Sequence, residues 1–129
     1  MFTMSCKNEK KETKETTRME RVIAVHDEMM PKMGTLGSLI NKLKPKIDSS
    51  AVGKQYKAAE NDLEDAYNYM MDWMKGFGDR FDSDEIMKGK ALSKEKEALL
   101  IEEEKKVNIM RDKINQSIAN AEALLKANN

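Results

Sequence analysis

The chain contains very few of the residues from which many compact sites are built. It has one cysteine, one histidine, two prolines and six glycines among 129 residues. A single cysteine excludes an intramolecular disulfide framework, and a single histidine excludes any site that needs several imidazoles. Aromatic residues make up only 5% of the chain, and this scarcity, with so little proline and glycine, argues against β-sandwiches, barrels and collagen-like folds.

An excess of charge of one sign is also missing, because 23 basic and 23 acidic residues give a formal net charge of zero. Without a basic face the chain lacks the electrostatic footprint of a nucleic-acid-binding protein, so no nucleic-acid partner is predicted. No run of 18 apolar residues occurs that could span a membrane. Glycine-rich phosphate loops, nucleophile elbows and Cys-x-x-Cys motifs are absent as well, so we predict a protein that is not an enzyme.

The start of the chain combines a small residue, a lone cysteine and a long charged segment. Ser5-Cys6 precedes residues 7 to 16, which carry almost no apolar side chains. Such a segment cannot offset the entropy of ordering, so it predicts a flexible tether. The pattern resembles the end of a bacterial lipoprotein signal, which implies lipidation of Cys6 and a membrane-anchored protein facing the periplasm. We therefore expect residues 1–16 to be a signal remnant with a disordered tether; an incidental thiol in a disordered start is the alternative.

Apolar residues recur at steps of three and four in three segments, the spacing that keeps side chains on one face of a helix. The predicted helices cover residues 17–47, 51–77 and 93–127. Ser49 or Ser50 is expected to cap the second helix and Ser93 the third, while Gly76 and Gly78 are expected to end the second. Because each stripe is one-sided, the sequence predicts an all-α fold, an antiparallel three-helix bundle over residues 17–129.

Pro31 lies inside the first apolar stripe, and Gly34 and Gly37 follow it. Proline lacks the amide hydrogen of an interior helix bond, and its ring crowds the carbonyl of Asp27, so a kink is expected near Pro31. The stripe resumes in phase at Met33, which favours one kinked helix over two separate ones. A break into two shorter helices is the competing outcome.

Methionine is the residue in excess, with eleven copies, and several surround the only histidine and the only tryptophan. In a hairpin that turns near residue 48, methionines of the first two helices fall within about two turns of the histidine. Two thioethers and an imidazole suit Cu(I) or Ag(I), because soft sulfur matches a soft cation. These residue types resemble the ligand set of periplasmic copper chaperones, which use two methionines, a histidine and a capping tryptophan. Those chaperones are small β-barrels, so the resemblance does not extend to their fold. The candidate metal ligands are His26, Met29, Met30, Met33, Met70, Met71 and Met74, with Trp73 as a shield.

The methionine-rich cluster is also consistent with packing alone or with docking of a partner. Methionine is unbranched and polarizable, so it fills irregular core space beside a proline and packs against an indole edge. His26 would then be a core residue, with Glu103 of the third helix as its expected hydrogen-bond partner. Alternatively, the methionines form a groove for a helix of a partner protein, because such surfaces repack readily.

Two blocks of the sequence are similar to segments of small helical lipoproteins from Bacteroidota, often labelled viral A-type inclusion protein repeat proteins. The blocks are His26-Asp27-Glu28-Met29-Met30-Pro31-Lys32-Met33-Gly34 and Met70-Met71-Asp72-Trp73-Met74-Lys75-Gly76-Phe77. The resemblance implies export and a helical architecture, and it brings no catalytic residues. The leading hypothesis is a non-enzymatic, exported bundle that binds Cu(I) or Ag(I). The alternative is a structural or adaptor bundle that binds another helical protein or the cell envelope.

Replacing Cys6 with alanine is expected to release the protein from the membranes of its native host, because a lipid is the attachment that the sequence predicts. Metabolic labelling with an alkyne fatty acid should mark the protein that carries Cys6 and leave the Cys6→Ala variant unmarked. An unlabelled protein, expressed from its full native reading frame, would contradict lipidation.

Overall fold

A computed structural model describes residues 16–128, and every regular element in that range is a helix, which confirms the predicted all-α class. Cys6 and the predicted tether, apart from Thr16, lie outside the described residues. No helix within residues 16–128 has the length and apolar character needed to cross a membrane. The helices are α1 (Arg18–Met29), α2 (Lys32–Leu43), a 3₁₀ turn (Lys44–Lys46), α3 (Ala51–Arg80), α4 (Ser83–Met87) and α5 (Lys94–Ala127).

The first apolar stripe forms two helices, which meet at Met30 and Pro31. The Met30 amide donates to the carbonyl oxygen of His26 at 2.9 Å. Pro31 has no amide hydrogen to continue this pattern. The next hydrogen bond spans three residues instead of four: the Met33 amide donates to the carbonyl oxygen of Met30 at 3.1 Å. Both junction residues keep right-handed helical dihedrals, so α1 passes into α2 without an extended loop. Of the two outcomes that the sequence left open at Pro31, the structure shows two shorter helices.

Hydroxyl side chains satisfy free amides at the start of the long helices. Thr17 caps α1 and Ser93 caps α5, each through its side-chain oxygen. At the start of α3 the hydroxyl of Ser50, and not that of Ser49, accepts a hydrogen bond from the Gly53 amide at 3.0 Å. Such caps contribute about 1 kcal/mol each, so they fix where the helices begin.

Helix α3 does not end at Gly76 and Gly78, so that prediction is wrong. The helix continues to Arg80, and the amide of Phe81 still bonds to the carbonyl oxygen of Phe77 at 3.1 Å. Phe77 and Phe81 are both buried. Burying each aromatic side chain contributes about 1.5–3 kcal/mol, which outweighs the cost of about 1 kcal/mol for each glycine in a helix.

The helices share one apolar core, but they do not all contact one another equally. Helix α3 packs most extensively against α5, and α2 packs against both of them. Helix α1 packs against α5, whereas its backbone stands farther from α3. Large side chains therefore span the space between α1 and α3. The largest apolar side chains that are fully buried in the core are Val22, Met29, Leu36, Leu43, Leu63, Met70, Val107, Met110 and Ile114.

The short helix α4 is fastened to α5 by a buried carboxylate. Glu85 accepts hydrogen bonds from Lys96 Nζ at 2.7 Å and from the Asp82 amide at 2.9 Å. These two bonds hold the pKa of the Glu85 carboxyl below its usual value. Because the pKa is lower in the folded state, this contribution to stability is present above the ordinary carboxyl pKa and is lost as the pH falls.

Gly53→Ala is expected to destabilise the fold by roughly 1–3 kcal/mol, as overpacking does. A Cβ at Gly53 would lie 2.7 Å from the backbone nitrogen and oxygen of Asp48. Gly37→Ala in α2 is the matched control, because a Cβ there meets no atom within 4 Å and alanine is favoured over glycine inside a helix by about 1 kcal/mol. Urea denaturation should show the two midpoints moving in opposite directions. If the two variants had the same urea midpoint, Asp48 would move away from the new Cβ at residue 53 without a cost in stability.

Candidate functional site

The imidazole of His26 and the indole of Trp73 meet in the space between α1 and α3. Their ring centroids lie 5.8 Å apart, and the ring planes are inclined by 32°. The side chain of His26 is 21% exposed, whereas Trp73 is buried. The imidazole therefore combines contact with a buried aromatic ring and access to solvent.

Trp73 begins a column of three aromatic side chains spaced by four residues. Its ring stacks on Phe77 with a centroid distance of 4.7 Å, and Phe77 lies 5.0 Å from Phe81. Such aromatic pairs contribute about 0.5–1.5 kcal/mol each beyond their burial, so the column holds the indole in place. Within residues 16–128, Trp73 Nε1 is the one buried side-chain nitrogen or oxygen that has no hydrogen-bond partner.

A small pocket of about 170 Å³ opens beside the His26–Trp73 contact. His26 and Met74 both line it, and of the seven predicted metal ligands these are the two that do so. Imidazole nitrogen and thioether sulfur are ligands that Cu(I) and Ag(I) accept. A neutral imidazole and a thioether can both bind a metal ion without losing a proton. The remaining lining residues are Trp73, Ile23, Phe77, Gly78 and Ile86, from α1, α3 and α4.

The predicted methionine ligands other than Met74 lie in different environments. Met29 and Met70 are fully buried in the core, and Met33 is half-buried against it. Met30 and Met71 are exposed, at 41% and 46%. The structure therefore does not gather all of these methionines around one pocket. In the described part of the chain, no three His, Cys, Asp or Glu side chains lie close enough to hold a metal ion.

His26 does not pair with Glu103, so that prediction is wrong. Nδ1 of His26 lies 3.0 Å from Oδ1 of Asp27. The buried Glu103 carboxylate instead accepts a hydrogen bond from Arg80 at 3.0 Å, and Lys106 Nζ lies 3.7 Å from it. Hairpin spacing gives the level of a residue along a helix but not its rotation about the helix axis, and the side chain of Glu103 is directed to the end of α3.

Trp73 also lines a second pocket, which lies between α3 and α5 and has a volume of about 260 Å³. Burial, and then the negative charge of Glu103, raise the pKa of the Tyr69 phenol above its ordinary value, so Tyr69 keeps its proton at neutral pH. The indole is thus a wall common to two pockets. The residues that line this second pocket with Trp73 are Tyr69, Asp72, Gly76, Glu103 and Lys106.

Sequence reasoning identified His26 and Trp73 but missed several residues that shape the pocket around them. Ile23 lies three residues before His26, and Phe77 lies four residues after Trp73, so helical spacing could have found both. Ile86 carries no comparable signal, because it lies in the connection between α3 and α5, which has no apolar period.

Comparison with protein families, curated proteins and solved structures gives no significant match to this chain. The resemblance to Bacteroidota lipoproteins therefore stays a prediction. The chemistry of the residues themselves is what points to a function.

Arg80→Met is expected to destabilise the fold by about 3 kcal/mol, because it removes the closest cation from the buried Glu103 carboxylate. This is the low end of the range for a broken buried pair, since Lys106 remains 3.7 Å away. His26→Ala should cost no more than about 1 kcal/mol, because its hydrogen-bond partner Asp27 is exposed. Urea denaturation measures both values, and Arg80→Lys controls for the charge. If Arg80→Met and His26→Ala lowered the free energy of unfolding equally, His26 would be shown to act as a core residue.

Proposed function

We propose that this protein binds a soft monovalent metal ion, Cu(I) or Ag(I), in the pocket between α1 and α3. The observation that carries the proposal is that His26 and Met74, from two different helices, line one pocket together with Trp73. One imidazole nitrogen and one thioether sulfur in the same pocket provide the soft ligands that these ions prefer.

Trp73 acts as a shield for the ion in this proposal. The indole lines the same pocket as His26 and Met74, and the face of an indole attracts a cation within about 6 Å of its ring centroid. Ile23, Phe77 and Ile86 line the same pocket. An apolar surrounding of this kind restricts the access of water to a bound metal, and so favours protein ligands over solvent.

Met30 is the proposed third ligand. It follows His26 by four residues, about one helical turn, and it is exposed, so its flexible side chain can move toward the ion without disturbing the core. Met70 lies one turn before Met74, but it is fully buried. Drawing its sulfur out of the core would leave a cavity, which is costly.

We further propose that α1 and α2 together form one kinked arm of an antiparallel three-helix bundle whose other arms are α3 and α5. The packing of α1, α2 and α3 against α5 supports this arrangement. Ser5-Cys6 and the charged segment after it support a lipid-anchored protein that faces the periplasm. The proposed role there is binding of a metal ion and not catalysis.

A second candidate function is docking of a helix from a partner protein. Tyr67, Met71 and Met74 recur on α3 at steps of four and three, and all three are exposed. A row of exposed apolar side chains at this spacing is typical of helix recognition. Metal binding is the stronger proposal, because docking alone gives no role to the contact between His26 and Trp73.

Anaerobic titration with Cu(I), with a chromophoric chelator as competitor, tests the metal proposal. Binding is expected to saturate at a single equivalent and to quench the fluorescence of Trp73, the only tryptophan. Zn(II) should leave the fluorescence unchanged, because thioethers are poor ligands for this harder ion. A Cu(I) affinity no tighter than that of free methionine would overturn the proposal.

Variants of the pocket test whether the ion binds at His26 and Met74. His26→Ala and Met74→Leu should each weaken Cu(I) binding by about tenfold or more, or at least about 1.4 kcal/mol. Met87→Leu is the matched control, because Met87 in α4 is 78% exposed and does not line the pocket. An equal loss of affinity in Met87→Leu would show that the methionines bind the ion nonspecifically.

A further inference from the structure

The two nitrogens of the His26 ring are in different situations. Nδ1 lies 3.0 Å from Oδ1 of Asp27, and for residues 16–128 this is the ring's one hydrogen bond. An ionised carboxylate can only accept a hydrogen bond. In the neutral ring the proton is therefore on Nδ1, and Nε2 carries the lone pair that a metal ion needs.

Nε2 is also within reach of a ligand. It makes no hydrogen bond to the described residues, and it is not a buried polar atom. The indole of Trp73, 5.8 Å away, restricts the rotation of the imidazole. The hydrogen bond to Asp27 then selects one of the two orientations that differ by a flip of the ring.

We propose that Asp27 is a positioning residue of the metal site, an inference that rests on the proposed function. Its carboxylate holds His26 in the tautomer protonated at Nδ1 and presents Nε2 to the ion, without itself contacting the metal. Histidines that bind metals generally donate their other ring nitrogen to such a partner. Loss of that partner typically lowers metal affinity by about 10- to 100-fold.

The position of Asp27 makes this role separable from folding. Its side chain is 69% exposed, so its hydrogen bond contributes little to stability and the variants should fold. Glu28, the next residue, is also an exposed carboxylate, but it forms no hydrogen bond or ion pair within residues 16–128. Glu28→Ala is therefore a matched control for the loss of one negative charge near the site.

Nitrogen NMR of the single histidine tests the tautomer without any metal. At about pH 8, the wild-type protein and Glu28→Ala should both carry the proton on Nδ1. Asp27→Ala should move it to Nε2, while Asp27→Asn should retain part of the original population, because an amide oxygen can still accept from Nδ1.

Ag(I) affinity, measured by competition under the same conditions, tests the consequence for binding. Asp27→Ala is expected to lose about 10-fold in affinity, and Glu28→Ala is expected to match the wild type. Asp27→Asn should lose less than Asp27→Ala. Equal losses in Asp27→Asn and Asp27→Ala would mean that the carboxylate acts only through its charge, which overturns the positioning role.

The two measurements distinguish failure of this inference from failure of the proposed function. Wild-type protein that does not bind Ag(I) overturns both. Wild-type protein that binds Ag(I) through His26, but carries its proton on Nε2 or loses no affinity in Asp27→Ala, overturns the positioning role of Asp27 alone.

Discussion

The amide hydrogen that Pro31 lacks is the constraint on which the arrangement of the helices depends. Because the regular bonding pattern cannot continue through residue 31, the first stripe forms α1 and α2, which pack in different ways. Helix α2 contacts both α3 and α5, whereas α1 packs against α5 and stands away from α3. The break thus allows a space between α1 and α3, and the candidate site lies in that space.

Side chains of unusual size fill this space. Trp73, Phe77 and Phe81 form a column of aromatic rings at the C-terminal end of α3, and the ring of His26 contacts Trp73 from α1. These rigid rings do not fill the space between α1 and α3 completely, and the pocket at Met74 is one of the gaps that remain. Packing and ligand binding therefore do not exclude each other in the methionine-rich region, because Met29 and Met70 belong to the core while Met74 lines the opening.

Much of the helical framework could be predicted from the sequence, because apolar period and capping are local properties. Ser50 and Ser93 illustrate this, since each caps the helix at which the pattern placed it. The pairing of Glu103 with Arg80 could not be predicted, because it depends on the rotation of α5 about its axis. That rotation is set by the packing of three helices against α5 at the same time, and the apolar pattern of one helix does not determine it.

The exposure of Met74 makes the pocket sensitive to oxidants. A thioether that a soft ion can reach from solvent can also be reached by peroxide, and its sulfoxide is a polar group with a different ligand atom. Met29 and Met70, with no accessible surface, are protected from that reaction. A mild oxidising environment would therefore alter the rim of the pocket while the core methionines stay intact.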